Sequence, residues 1–483
     1  MTAAKRRQGS ARRRLRVVFA AAELSPLVRT GGLGEAVSGL ATSLVARGHE
    51  VTCLVPAWRG THGAAAPEFV ASADTRPAGA PGHSGRWLAG RVGDLSVELC
   101  DLPGLFDRES PYGGPDEGPR FVAFSRAAAA RCAELVPDVF VAHDWHAALA
   151  ICALHTLHGV GPARAIGKVQ AVHNNAHQGR FAASLLAATG LPGELFRPEG
   201  LEFHGDLCLL KGGLAWADRI VAVSPSYAKE LTSPENGNGL EGLYRFRAHR
   251  LLGIANGIDA ARYDPAKDAA LAAPFSARDL SGRKTCREAL LTELGLEPPR
   301  DGRLLAGIGR LALQKGWDVL AEALPALVER GFAVVLLGDG DAAIAASLRE
   351  SARRFPRAVA FRSGWDDALA RHLYAGADAV LVPSRFEPCG LVQLLAQRYG
   401  ALPVAHRVGG LQDTIRHEET GVLFEPLTVA ALVAAAERAT ALLARDGTAL
   451  LRQLLRTDVS WRRPAERWER ALEAVAAEGA ARA

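Results

Sequence analysis

The sequence predicts an α/β protein built from two doubly wound halves, and three observations carry that reading. A strand–helix–strand series opens the chain. A second series of the same kind begins near residue 304. The length, 483 residues, is too great for one compact core and suits two or three domains. Strand–helix–strand at this spacing is the pattern of a parallel sheet covered by helices on both faces. In that architecture ligands lie outside the carboxyl ends of the strands, so two facing sheets place the site in the cleft between them.

The elements follow in order. Residues 16–22 read as the first strand, residues 34–47 as a helix stopped by Gly48, and residues 51–56 as the next strand. Residues 59–120 are rich in Gly and Pro and read as loops with short strands. Apolar runs at 139–142 and 168–172 read as further strands. The second series has a strand at 304–309, a helix at 319–329 and a strand at 333–337 followed by Gly338, Asp339 and Gly340. Residues 379–382 are a strand feeding a turn at Pro383 and Ser384, and residues 391–399 a helix. Residues 460–475 show helical spacing with Trp461 and Trp468. A terminal helix must bury its apolar face, so this segment is expected to pack back on the first half. The division expected is a basic, disordered tail at 1–15, a first half at 16–252, a second at 253–457 and the terminal helix within 458–483.

Charge and cysteine usage exclude several classes. Lys5, Arg6, Arg7, Arg12, Arg13, Arg14 and Arg16 place seven positive charges in the first sixteen residues, so the +5 total less these seven leaves −2 on the rest. A basic tail on a near-neutral body is not a nucleic-acid-binding surface. The apolar run behind the tail is too short for a signal peptide and is cut by Glu23 and Pro26. No segment approaches the roughly 20 apolar residues that span a bilayer. Seven scattered cysteines, none in a CxxC pair, argue against a disulfide framework or zinc site and for a reducing, cytoplasmic compartment.

Several strings gather chemistry at strand ends. Glu387, Cys389 and Gly390 stand where a strand meets a helix N-terminus, which can hold an anion such as a diphosphate. An ordinary turn with a surface acid fits as well. Arg29 to Gly34 (RTGGLG) lie between the first strand and helix; glycines there admit a phosphate, and a tight structural turn looks the same. His143, Asp144, Trp145 and His146 suit either a metal or, more readily, a hydrogen-bonded cluster. His173 and Asn174 end another strand, and a lone histidine there is usually structural. Arg310 and Lys315 are either solvated cations or, in a cleft, a grip on a diphosphate that gathers charge as a sugar leaves. Trp365 suits stacking on a base or simple packing.

Taken together, from about Arg16 to Trp468, these strings resemble the bacterial glycogen synthase and plant starch synthase family. RTGGLGE at 29–35 resembles KTGGLGD. HDWH, VHN, LKGGL, VSPSY, IANGID and RLxxQKG recur in the family's order, and VPSRFEPCGL at 382–391 resembles its donor-site signature. The resemblance implies a GT-B fold, two Rossmann-like domains facing across a cleft. The first would be the acceptor side and the second would bind the nucleotide sugar. It implies retaining transfer of α-glucose from ADP-glucose to the non-reducing 4-OH of an α-1,4-glucan, with no metal or other cofactor. His173 would lie against the transferred glucose. Arg310 and Lys315 would hold the diphosphate, Glu387 would position the sugar electrostatically, and Asp144 would complete the catalytic set. Arg29, Gly31, Gly32, Glu23, Glu35, Tyr112, Asn174, Asn256, Trp365, Cys389, Gly390, Leu391 and Val392 would bind substrate. Arg29 and Glu35 replace the family's lysine and aspartate. Asn175 and His177 replace apolar and aromatic residues and are expected to reshape the acceptor side. A related retaining enzyme using UDP-glucose or another acceptor, or a non-catalytic sugar-nucleotide or glucan-binding protein, would carry many of the same residues. Oligomeric state is left open.

Overall fold

The computed structural model describes residues 13–63, 66, 68–299 and 303–482. Among the described residues two large sheets form. The first contains β1 (Arg16–Ala20), β2 (Glu50–Pro56), β3 (Phe69–Ala80), β4 (His83–Val92), β5 (Leu95–Asp101), β6 (Val139–His143), β7 (Gly167–Val172), β11 (Arg219–Ala222) and β12 (Leu251–Gly253), in the order β12-β11-β7-β6-β1-β2-β5-β4-β3. A small antiparallel sheet joins β8 (Arg180–Ala182), β9 (Glu202–Phe203) and β10 (Asp206–Cys208). The second large sheet contains β13 (Leu304–Ile308), β14 (Ala333–Gly338), β15 (Val359–Ser363), β16 (Ala379–Val382), β17 (Leu402–His406) and β18 (Val422–Phe424), in the order β15-β14-β13-β16-β17-β18. All its neighbours are parallel, and its order is that of the dinucleotide-binding doubly wound fold.

The strands read as continuous apolar runs because both faces are covered. β6, β13 and β16 are buried at every position. Helix Gly32–Ala46 buries Leu33, Val37, Leu40, Ala41 and Leu44, the spacing of one helical stripe. Helix Arg462–Ala480 lies on the first sheet, where Trp468, Leu472, Val475 and Ala476 join the same core as β1, β6 and β7. Arg47 pairs with Glu469, and Arg482 bonds Asp218 at 2.7 Å, tying this helix to the first half. The two segments that connect the halves run side by side, with Ile258 donating its N–H to the carbonyl of Val459 at 2.9 Å.

Two expectations change. Residues 59–120 hold three long strands, not loops with short ones: β3 and β4 form an antiparallel hairpin that extends the parallel sheet through β5. Gly82 and Gly93, at positive φ, make its turns, while Gly85 and Gly90 serve close packing. A Cβ on Gly90 would lie 2.5 Å from the Phe69 ring and 2.7 Å from the carbonyl oxygen of Val70. The basic tail, expected to reach residue 15, is shorter. Leu15 is buried in the core, Arg13 pairs with Asp138 at 2.6 Å and Arg14 with Glu50 at 2.7 Å. The remainder of that expectation, residues 1–12, lies outside the described residues. The seven cysteines are all free and buried. No helix among the described residues is long and apolar enough to cross a membrane.

Candidate functional site

Sheet order locates the site. In the first sheet the connection reverses direction between β1 and β6, and in the second between β13 and β16. The loops leaving the carboxyl ends of these four strands, with the loop after β7, carry most of the residues singled out from sequence; Tyr112 follows β5, Asn256 follows β12 and Trp365 follows β15.

In the first half these residues form two hydrogen-bonded groups, one around Glu23 and one around Asp144. Glu23 follows β1 and is buried. Its carboxylate accepts from the backbone N–H of Thr30 at 2.8 Å, from that of Gly31 at 3.2 Å, and from the Tyr112 hydroxyl. Burial and the neighbouring Glu23 charge raise the Tyr112 hydroxyl well above its ordinary range, so it stays a donor. Asp144 follows β6 in a conformation that L-residues rarely adopt, φ 56° and ψ −171°. Its Oδ1 accepts from the backbone N–H of His173 at 2.6 Å and of Asn174 at 3.2 Å. Burial pushes the Asp144 carboxyl up to about 7 despite those two bonds. The His173 ring meets His143, with Nε2 and Nδ1 2.9 Å apart, and burial lowers His173 to about 4, so it is neutral at pH 7. No cluster of His, Cys, Asp and Glu suited to a metal occurs among the described residues.

In the second half, Lys315 Nζ lies 2.6 Å from Glu387 Oε2, which also accepts from Ser384 Oγ at 3.0 Å. The Glu387 side chain is buried while that of Lys315 is 27% exposed, so the pair presents its positive end outward. Gly316 fixes this geometry: its φ is +68°, and a Cβ there would sit 1.9 Å from the carbonyl oxygen of Pro383. Arg310 is exposed and has no hydrogen-bonded side-chain partner among the described residues. After burial, its charge is the next cause of the lowered pKa of His177, which belongs to the loop after β7 in the other half. Cys389 is buried, its thiol pushed up to about 12 by that burial, and its Sγ accepts from the backbone N–H of Asn256 at 3.3 Å. Gly390 takes a φ of +78°, and Leu391 and Val392 begin the helix beyond it.

The two sets of loops meet. A Cβ placed on Gly32 would stand 3.7 Å from Leu391 Cδ1. Arg29 reaches across with Nη1 3.0 Å from Glu35 Oε1 and Nη2 2.6 Å from Asp367 Oδ1. Arg262 touches the same two carboxylates at 3.2 and 3.0 Å. The Arg29 guanidinium also lies 5.7 Å from the Trp365 ring centroid. Burial works against its charge, but the bonds to Asp367 and Glu35 outweigh it and hold Arg29 above its ordinary value. Burial likewise opposes ionisation of Asp367, whose carboxyl the Arg29 bond nonetheless holds low.

Some expectations are thereby redrawn. Arg29, read from sequence as a substrate-binding residue, has a carboxylate at each end of its fork here. The N–H of Gly31 is likewise bonded to Glu23. Trp365 is 56% exposed and donates its Nε1–H to Asp367 at 3.1 Å, so it belongs to this charged group rather than to a core. Asn175 does not reshape an acceptor surface. It is fully buried, donating to the carbonyl of Gly237 at 2.9 Å and accepting from the Tyr244 hydroxyl at 2.8 Å. His177, by contrast, is exposed. Lys211 of LKGGL bonds the carbonyls of Pro198 and Glu202, a structural role. Asp367, Arg262 and Ser384 were not singled out as site residues. Asp367 stands two residues beyond Trp365 and Ser384 lies inside the VPSRFEPCGL string, whereas Arg262 has no such local hint.

Known proteins resemble this chain in sequence and fold. The family described as starch synthase catalytic domain matches residues 16–246, and glycosyl transferases group 1 matches residues 302–441. A glycogen synthase from Rhodopseudomonas palustris is 41% identical, covering 96% of this chain and 99% of its own length. One from Methylocella silvestris is also 41% identical, covering 93% of this chain and 96% of its own. The solved catalytic domain of starch synthase IV from Arabidopsis thaliana, bound to ADP and acarbose, superposes with a TM-score of 0.90 at 29% identity, covering 96% of this chain and 100% of that one.

Proposed function

The chain belongs to the glycogen and starch synthase family of GT-B glycosyltransferases, and from that premise we propose how its residues share the work. The reaction is transfer of α-glucose from ADP-glucose to the non-reducing 4-OH of an α-1,4-glucan, with retention. The first half, residues 16–252, forms the acceptor side. The second, residues 253–457, holds the nucleotide sugar, and residues 458–483 brace the first. The setting is the cytoplasm. The observation that supports this assignment is that the two sets of loops meet: the Arg310 charge acts on His177 in the loop after β7, Gly32 approaches Leu391, and Arg29 spans Glu35 and Asp367.

The chemistry needs positive charge where the diphosphate leaves and polar contacts around a sugar that becomes cation-like. Arg310 and Lys315 supply the first; Arg310 has no competing side-chain partner among the described residues, and Lys315 turns its ammonium outward from Glu387. Glu387, held by Ser384 and Lys315, keeps a fixed negative charge near the sugar. His173, neutral and anchored through its backbone by Asp144, contacts the glucosyl hydroxyls. Arg29 joins the diphosphate by exchanging its carboxylates for phosphate oxygens. Asn174, Asn256, Gly390, Leu391 and Val392 line the donor, and closure of the halves excludes water from it. No enzyme nucleophile is assigned.

The test is release of ADP or UDP from each sugar nucleotide with glycogen or short oligosaccharides as acceptor. Faster turnover with ADP-glucose and glycogen is expected. Preference for UDP-glucose, activity only on another acceptor, or no turnover would overturn the reading.

A further inference from the structure

His143 ends β6 and His173 directly follows the adjacent parallel strand β7. The side chain of His143 is buried, its Nδ1 lies 2.9 Å from His173 Nε2, and its own Nε2 is buried without a partner among the described residues. Its ring also meets the Phe19 ring edge-on, with centroids 4.8 Å apart. His173 is only half-buried, and its Nδ1 has no hydrogen-bond partner among the described residues. Burial keeps both rings neutral: it holds His143 well below its ordinary range and His173 at about 4. Two neutral imidazoles at this distance share one proton, which leaves two arrangements. If His173 donated, His143 would carry its one proton on Nε2, a buried N–H without an acceptor. If His143 donates, only a bare ring nitrogen is left unpaired, and a buried donor without a partner is the rarer case.

We propose that His143 is a positioning residue: it donates Nδ1–H to His173 Nε2, fixing the His173 ring and leaving its Nδ1–H as the donor presented to the glucosyl group. This deepens the role given to His173 and rests on it. The reaction then meets a ring of fixed polarity and does not have to select a tautomer at each turnover.

The experiment has two arms on the full-length protein. ¹⁵N NMR of histidine-labelled enzyme, with His143→Asn and His173→Ala used for assignment, reads the tautomer directly. His173 is expected to carry its proton on Nδ1, with Nε2 as the hydrogen-bonded acceptor; a proton on Nε2 overturns the proposal. In kinetics, His143→Leu is expected to lower kcat roughly 10- to 100-fold, as loss of a residue that orients a working group does, while the donor KM stays within about twofold. His143→Asn, whose amide N–H falls near the Nδ1 position, is expected to recover most of the rate. His143→Leu at the parental kcat overturns the proposal. His173→Ala at the parental rate instead overturns the functional role of His173 beneath it, whatever tautomer the NMR shows.

Discussion

Asp144 offers a test in which stability and activity move in opposite directions. Its carboxyl is 6% exposed, and burial lifts it from an ordinary value of 3.8 to about 7. An acid raised in the folded state keeps its proton there while the unfolded chain has already lost it. Stability therefore falls as pH rises from about 4 to about 7, and the full cost is present above 7. At 1.36 kcal/mol per pH unit, the span from 3.8 to about 7 corresponds to about 4 kcal/mol. Asp144→Asn removes that cost. The amide oxygen can still accept the N–H groups of His173 and Asn174, while its new NH₂ lacks a partner and costs about 1–2 kcal/mol. The net expectation is a gain of roughly 2 kcal/mol at pH 8, shrinking to nothing or a small loss at pH 4.5. Urea unfolding of parent and variant at both pH values measures it, and the difference between them largely cancels the titration of the nearby histidines. Activity on ADP-glucose and glycogen at pH 8, where the parent carboxyl is ionised, should fall by roughly 10²-fold because the charge beside His173 is gone. If the variant is less stable than the parent at pH 8 by more than at pH 4.5, the carboxyl is not held protonated by burial and the argument fails.

Three further outcomes are expected. Glu387→Gln should lower kcat roughly 10²-fold, about 3 kcal/mol, yet cost only about 1 kcal/mol of stability because Lys315 can be hydrated once unpaired; a parental kcat would remove Glu387 from the sugar site. Arg29→Ala should lose roughly 10²-fold in kcat/KM, about 2.7 kcal/mol, while Arg29→Lys retains much of the activity; equal activity of parent and alanine variant in steady-state transfer would place residue 29 outside the donor site. Asn175→Leu should cost about 2–3 kcal/mol by leaving the Tyr244 hydroxyl and the Gly237 carbonyl unpaired, with little change in KM, and adding Tyr244→Phe should recover part of it; additive losses in thermal melts would show that the two are not partners.

Much of the fold was legible for a physical reason. A parallel sheet covered on both faces demands unbroken apolar strands, so β1, β2, β6, β7, β13, β14 and β16 announced themselves, and the polar residues directly after them fell where ligands bind. The β3–β4 hairpin was not legible because Gly79, Gly85 and Gly90 look like turn residues, whereas at Gly85 and Gly90 a Cβ would strike neighbouring backbone at 2.0 and 2.7 Å. Asn175 misled for a related reason. A polar residue beside the catalytic strings reads as surface chemistry unless its buried partner, Tyr244, 69 positions later, is known. Arg262 and Asp367 carried no local periodicity, because their role is set by a meeting of two halves that the chain order does not display.

That meeting also makes the departures at Arg29 and Glu35 intelligible as a pair. Two carboxylates, Glu35 from the first half and Asp367 from the second, sit where Arg29 and Arg262 each touch both. An ammonium is a single point of charge, whereas a guanidinium fork can bond one carboxylate at each end, at 3.0 and 2.6 Å here. The glutamate at 35 supplies one methylene more reach than an aspartate, and its Oε1 meets both guanidinium groups and the Ser25 hydroxyl. The charges balance, two positive against two negative, and the four side chains are 19–35% exposed, so each contact contributes about 1 kcal/mol or less. Contacts of that size hold two halves together without locking them. A diphosphate offering Arg29 several oxygens could displace Glu35 and Asp367 at small cost, so the same arginine is able to fasten the halves together and to meet the leaving group.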